Sequence, residues 1–469
     1  MLVETIPTGL EDLEVPHDRA TTAEILRDRV EAARETIDLT AMYWTLLHDP
    51  SRPDESGFTE AQVRDMGAAE GSILYDALRS AAARGIRIRI VQGPGLDGMG
   101  NPESAALARD FPGRVQIRTM RMDRWFGDGI MHQKSWIFDQ RHVYVGSANM
   151  DWRSLCQVKE MGVAVADCPE LARDATKYFE AWWTLAALEP RTAITFDESA
   201  RIWRRVPDWS ERRPTGERQP SPFDEDRYAT AYNLDHPLEV DLDDLPSRLY
   251  LSGCPREVRG RGRTFDAAAL VSTILDAERS ISINVMDLAP VGLYVRSPDP
   301  DIEKHEHRSR LNAPVWWPDL FDALLHAVLT KRVWVRILVS KWAYSSHLIE
   351  PYLHALTQAA DAGRTDPRLS GGLLEVKRFI VPGWDRTTGP DRKYVDHSRV
   401  NHAKYIVTDR RANIGTSNMT ADYFAGTAGT SINTDHPGLV RDLQRSFDRD
   451  WTSRYAVNLP TDCGPRFQP

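Results

Sequence analysis

Two short patterns in this chain of 469 residues pair an imidazole with an ammonium at the same spacing. His132 and Lys134 form the first, and His402 and Lys404 the second. An aspartate follows each at the same offset, Asp139 and Asp409. Next come Gly146-Ser147-x-Asn149 and Gly415-Thr416-Ser417-Asn418. Residues i and i+2 of a strand share a face, so each His and its Lys should point into one pocket. Two such faces meeting would set two imidazoles and two ammoniums around one small anion, which suits a phosphodiester. One imidazole can attack phosphorus and form a phosphohistidine. The other can protonate the leaving oxygen, then activate water. Lys134, Lys404, Asn149 and Asn418 can hold the non-bridging oxygens as charge builds. Fixed positive charges do the electrostatic work of a metal ion, so neither a metal nor another cofactor is expected. Asp139 and Asp409 are expected to hold turns rather than touch substrate, with Ser147 and Ser417 supporting the same loops.

A single His-x-Lys is commonly surface decoration. Two copies with matching aspartates, glycine turns and asparagines are poorly explained by coincidence. Lysine usage points the same way: the chain has nine lysines against fifty arginines, yet both patterns carry lysine. A compact ammonium is a point charge that a guanidinium fork does not replace. His48, His142 and His326 have no such context and read as packing or surface residues. The formal charge of −9 excludes a protein that coats nucleic acid generally, so a polyanion would need a local positive cleft. The four cysteines show no CxxC spacing, which argues against zinc. There is no run of 18 apolar residues and no apolar core of signal-peptide length within Met1–Thr22, so a cytoplasmic protein is expected.

The elements that must position these residues occur twice. A helical pattern over Thr22–Arg34 leads into an apolar strand at Ile37–Leu47, and Ala267–Arg279 leads into Ile281–Leu288 in the same way. A helix at Ser72–Arg84 precedes a strand at Ile86–Val91, as Leu320–Thr330 precedes Val333–Val339. Strands at Arg114–Met120 and Leu374–Val381 come before the two patterns. Helices at Pro169–Leu185 and Gly438–Trp451 close the halves. Strands alternating with helices give an α/β class: two sandwich lobes related by a pseudo-twofold axis, with the site at their junction. The expected organisation is an N-terminal extension (1–21), a first lobe (22–190), a connector rich in Pro, Asp, Arg and Trp (191–246) and a second lobe (247–469). One chain then holds a complete site, as a monomer or in a homodimer.

The paired HxKx4D patterns resemble the phospholipase D superfamily. The likeness extends to "MYWTLL" at 42–47, "HQKSWIFDQRHVYVGSANMDWRSLCQVKEMGV" at 132–163, "INVMDLAP" at 283–290, "RVNHAKYIVTDRRANIGTSN" at 399–418 and "RDWTSRY" at 449–455. These look like the branch of the animal endolysosomal 5′-exonucleases, over about residues 22–456. The resemblance implies cleavage through a phosphohistidine, with His132, Lys134 and Asn149 in one half-site and His402, Lys404 and Asn418 in the other. It also implies single-stranded DNA or RNA degraded from the 5′ end. The animal members carry an N-terminal membrane anchor that is not seen here, so a bacterial relative is expected. Lys341 stands where the animal proteins tend to have a cysteine, which would leave Cys463 without a partner.

The halves differ in one acid. Eleven residues after Asn149 lies Glu160; eleven after Asn418 lies Gly429. In the wider superfamily an acid after the motif bonds the imidazole nitrogen facing away from phosphorus, fixing its tautomer. Glu160 is therefore expected to orient the histidine of its own half, making His132 the nucleophile and His402 the general acid. Arg124, Trp317 and Tyr423, with Arg118, Arg121, Trp125, Phe126, Trp316 and Phe424 nearby, are candidates for phosphate contacts and base stacking. The favoured activity is a 5′-to-3′ exonuclease on single-stranded nucleic acid. The alternatives are a phospholipase or transphosphatidylase acting on lipid headgroups, and a non-catalytic scaffold.

Overall fold

The computed structural model describes residues 1–469 apart from 11, 18, 97–99, 198–201, 210–220, 294–314, 365–371 and 461–469. Cys463 lies outside the described residues. The chain forms two large mixed sheets. The first has seven strands in the order Leu2–Thr5, Glu160–Val165, His142–Gly146, Ser135–Phe138, Thr36–Ala41, Arg87–Gln92 and Val115–Thr119. The second has nine: Leu238–Leu242, Leu245–Cys254, Gly429–Thr434, Ala412–Gly415, Lys404–Thr408, Ser280–Val285, Trp334–Lys341, Leu373–Ile380 and Ala456–Asn458. Six consecutive strands repeat in order and direction between the two sheets, which is the duplication seen in the sequence.

The apolar runs are explained by burial on both faces. Ile37 and Leu39, with Ile88 and Ile90, pack under the helices Thr22–Ala32 and Ala69–Ala83. Ile281 and Ile283, with Val335 and Ile337, pack under Asp266–Asp276 and Asp319–Leu329. Between the sheets lies a shared core that takes Val143, Val145 and Met161 from one lobe and Tyr405, Val407 and Ile432 from the other. The helices Pro169–Leu185 and Pro437–Thr452 add Phe179, Trp182, Phe447 and Trp451 to that layer. Strands covered on both sides read as continuous hydrophobic segments rather than alternating ones. Among the described residues, no helix is long and apolar enough to cross a membrane.

Two segments take a more definite form. The N-terminal segment is an edge strand of the first sheet, since Leu2–Thr5 pairs antiparallel with Glu160–Val165. The connector contains a hairpin, Thr192–Asp197 with Ile202–Pro207, and its strand Leu238–Leu242 joins the second sheet. Both were obscured by short length and weak periodicity.

The N-terminal strand is held by charge. Glu4 is buried against the Lys159 ammonium at 3.0 Å, and Lys159 also meets Asp450 at 2.8 Å. Arg449 spans Glu4 and Asp450. Burial pushes the Glu4 carboxyl up, but Lys159 and Arg449 overcome it and hold it at about 2. A carboxylate depressed on folding stabilises above its unfolded pKa, and that stability is lost as pH falls towards the folded value. Glu4→Gln leaves buried cations undercompensated and should cost about 3–5 kcal/mol at pH 7. Urea unfolding checks this, and the deficit against wild type should narrow between about pH 4.5 and 2.

Candidate active site

Each His-x-Lys pattern leads into a central strand: His132 and Lys134 precede Ser135–Phe138, and Lys404 opens Lys404–Thr408. The lobes are joined at these points by backbone pairing. Met131 bridges Ala428, and Asn401 bridges Lys159. The His132 amide donates to the Ala428 carbonyl at 3.2 Å, and the His402 amide to the Lys159 carbonyl at 2.8 Å. Each motif therefore lies against the strand that follows the asparagine of the opposite half. The two imidazoles face one another with ring centroids 6.2 Å apart and planes at 68°.

This crossing corrects the expected partner of Glu160. Its carboxylate does not meet His132; both its oxygens lie 3.0 Å from Nδ1 of His402. Opposite His132 stands Gly429, and a Cβ there would lie 2.2 Å from Ser417 Oγ and 2.8 Å from Cys254 Sγ. No carboxylate fits in that space. Among the described residues, no side chain bonds His132 Nδ1; the backbone of Thr416 is the group that supports a proton on that ring.

The cations are buried as well. Lys134 Nζ donates to the His132 carbonyl at 2.8 Å, and Lys404 Nζ to the His402 carbonyl at 2.6 Å. Burial, reinforced by the neighbouring ammoniums, pushes His132 well below the usual imidazole range and Lys134 well below the usual ammonium range. Burial also lowers His402, to about 4, although Glu160 works in the opposite direction. Lys404 falls to about 7 through burial, with Glu160 and Asp287 opposing. For Glu160, burial raises the carboxyl, but His402 and then Lys404 bring it below its ordinary value. Glu160 and Asp287 offset only part of this charge, so the centre favours a bound anion.

Asn149 Nδ2 donates to the Tyr43 hydroxyl at 3.3 Å, which in turn donates to Asp151 at 3.0 Å. Asn418 Nδ2 donates to Asp287 at 3.0 Å and to the Tyr423 hydroxyl at 3.1 Å. The Tyr423 ring meets His132 edge-on at 5.0 Å, so this residue sits in the centre. Tyr43 and Asp287 were missed in the sequence. They occupy matching places two residues beyond Thr36–Ala41 and Ser280–Val285, and aligning "AMYW" with "VMDL" exposes them.

Asp139 and Asp409 lie away from the imidazoles and do the same job twice. Asp139 accepts from the amides of Arg34, Glu35 and Thr36 at 2.8–2.9 Å. Asp409 accepts from those of Glu278, Arg279 and Ser280 at 3.0–3.2 Å. Each ties the end of a helix to the strand that flanks its motif. Ser147 Oγ accepts the Met161 amide at 3.0 Å, and Thr416 Oγ1 accepts the Thr430 amide at 3.1 Å. Thr416, not Ser417, is therefore the counterpart of Ser147; Ser417 instead fills the space beside Gly429. Trp317 is buried against Phe424 at 4.8 Å and belongs to the core of the second lobe, so it is withdrawn as a substrate contact. Arg118 is spent on the Trp183 carbonyl and ring, and Arg121 on Asp123. Arg124 is exposed on the short helix Met122–Phe126, with no hydrogen bond to the centre among the described residues.

Two family models match: "Cardiolipin synthase, PLD-like domain" over residues 26–183 and "PLD3/4, PLD-like domain" over 217–383. The 5′-3′ exonuclease PLD3 of Rattus norvegicus is 32% identical over 465 residues, covering 98% of this chain and 80% of that protein. The chain belongs to the phospholipase D superfamily. Within it the likeness is to the PLD3-like branch, and the chain is a phosphodiesterase hydrolase of that superfamily. The virion nicking-joining enzyme of vaccinia virus (strain Western Reserve) is 30% identical over 462 residues, covering 98% of this chain and 89% of its own. Among solved structures, the phosphatidylserine synthase of Haemophilus influenzae Rd KW20 shares the fold, with a TM-score of 0.51 at 11% identity over 93% of this chain and 85% of that one. The superfamily's paired half-sites are thus both supplied here by one chain.

Proposed function

We propose that this phospholipase D superfamily member is a metal-independent exonuclease that degrades single-stranded DNA or RNA from the 5′ end through a phosphohistidine on His132. The observation that carries the chemistry is the pair of opposed imidazoles with a carboxylate behind one of them, at Nδ1 of His402. The reaction needs one neutral and one protonated histidine. Glu160 makes His402 the more basic of the two, so a proton taken up by the pair goes to His402. The role division expected from the sequence is kept, but for the opposite reason: the acid serves the proton donor rather than the nucleophile.

In the first step His132 Nε2 forms a bond to phosphorus, the P–O bond to the leaving nucleoside breaks, and His402 gives that oxygen its proton. In the second step His402 takes a proton from water, the hydroxide attacks phosphorus, and the N–P bond breaks. Lys134, Lys404, Asn149 and Asn418 stabilise the non-bridging oxygens. The nucleic-acid substrate is supported by the relatives, a 5′-3′ exonuclease and a virion nicking-joining enzyme.

The test uses single-stranded oligonucleotides labelled at either end, with EDTA present, and in parallel phosphatidylcholine with ethanol. Stepwise shortening from the 5′ end that survives EDTA is the expected result. Phosphatidylethanol without oligonucleotide cleavage would replace this reading with the lipid enzyme, and loss of cleavage in EDTA would remove metal independence.

A further inference from the structure

A cluster of rings stands beside the centre and plays no part in the chemistry above. Trp342 and Tyr344 follow the C-terminal end of the strand Trp334–Lys341, and His397 lies five residues before His402. Trp342 and Tyr344 meet edge-on at 5.0 Å, and Tyr344 stacks on His397 at 4.9 Å with planes 15° apart. Such clusters are commonly core packing, but this one is open: Tyr344 is 44% exposed and the His397 side chain 43%. The open rings are also held in place. The Tyr344 hydroxyl donates to Asp396 at 2.6 Å. His397 has φ of 56°, a left-handed conformation uncommon for a non-glycine residue and maintained only where the surroundings fix it.

The cluster's place is set by what Trp342 rests on: Val158, Met286 and Val400. Val158 is two residues from Glu160, Met286 adjoins Asp287, and Val400 is two residues from His402. The platform thus leans on the three segments that build the His402 half-site. Beneath it lies a cation. Arg378 is 4% exposed, and Ser345 Oγ lies 3.5 Å from its Nη2 and 3.0 Å from the Trp342 amide. Among the described residues, Nε and Nη1 of Arg378 have no hydrogen-bond partner. Exposed, fixed rings above a buried positive charge suit a nucleobase whose phosphate neighbours continue into the cationic centre, because every base has a face that stacks.

We propose that Trp342, Tyr344 and His397 form a stacking subsite for a base of the strand whose scissile phosphate lies between His132 and His402. The inference rests on the nuclease reading. Trp342 supports the centre by packing, so the test removes the two exposed rings instead. The double variant Tyr344→Ala/His397→Ala should raise KM for a single-stranded oligonucleotide about 5- to 100-fold with kcat little changed. It should leave both constants unchanged for an oligonucleotide of abasic residues, and its melting temperature should match wild type. Tyr344→Phe, which keeps the ring, should bind like wild type. An unchanged KM on the normal strand, or an equal rise on the abasic one, overturns the subsite while leaving the nuclease reading intact. Failure of wild type to cleave either strand withdraws both.

Discussion

His132→Ala should lose turnover on every phosphodiester, by on the order of 10⁶-fold, as when a covalent nucleophile is removed. His402→Ala should behave differently according to the leaving group. On an oligonucleotide the departing alkoxide needs a proton, and losing the general acid should slow bond cleavage about 10²–10⁴-fold. On a p-nitrophenyl phosphodiester the departing oxygen needs none. There His402→Ala should still give a burst of p-nitrophenolate, after which the adduct on His132 persists because nothing activates water. Rapid quenching and peptide mapping locate that adduct. A phosphoryl group on His402 in the wild-type enzyme, or an equal loss for both leaving groups in His402→Ala, would reverse the roles. The expectation follows from geometry: only His402 has a carboxylate at Nδ1, so only His402 can keep the proton that the leaving group requires.

The duplication was legible in the sequence because each half repeats residue types whose spacing is dictated locally. His132 and Lys134, then Asp139, sit on one continuous segment, and so do their counterparts. The helices and strands were legible because the central strands, Thr36–Ala41 and Ser135–Phe138 in one sheet and Ser280–Val285 and Lys404–Thr408 in the other, are buried on both faces and read as apolar runs. The pairing across the lobes was not legible. Glu160 was compared with residues of its own half, whereas the backbone joins Lys159 to Asn401 and Met131 to Ala428. No spacing within one half encodes that contact. Thr416 was passed over for Ser417 because both are small hydroxyl residues in the same loop, and the hydrogen bond to Thr430 distinguishes them. Trp317 shows another limit, since a tryptophan at the start of a helix carries no mark of which face it will bury. The exposed Tyr344 and His397 lie in different segments, and only the fold brings them together.

Glu160→Gln isolates the asymmetry of the two half-sites. Glutamine keeps the side chain's size, so the lobes should remain joined through Lys159 and Asn401, but the charge beside His402 is gone. Glu160 raises the basicity of His402 by charge and by hydrogen bonding, against the burial that lowers it to about 4. Removing the carboxylate lets burial and the two lysines act unopposed, and the imidazole falls further. The reactive state needs His402 protonated and His132 neutral, so wild-type kcat/KM should rise as pH falls from neutrality towards about 4. In Glu160→Gln that basic limb should move to lower pH, because the proton is then held only in more acidic solution. At neutral pH the loss should be about 10- to 100-fold, the size seen when a group orienting an active-site ligand is removed, and it should shrink on acidification. The leaving group gives a second readout: p-nitrophenyl substrates, which need no proton donor in the first step, should release their first equivalent at close to the wild-type rate. A purely structural Glu160 would instead slow both substrates alike at every pH and leave the position of the limb where it was.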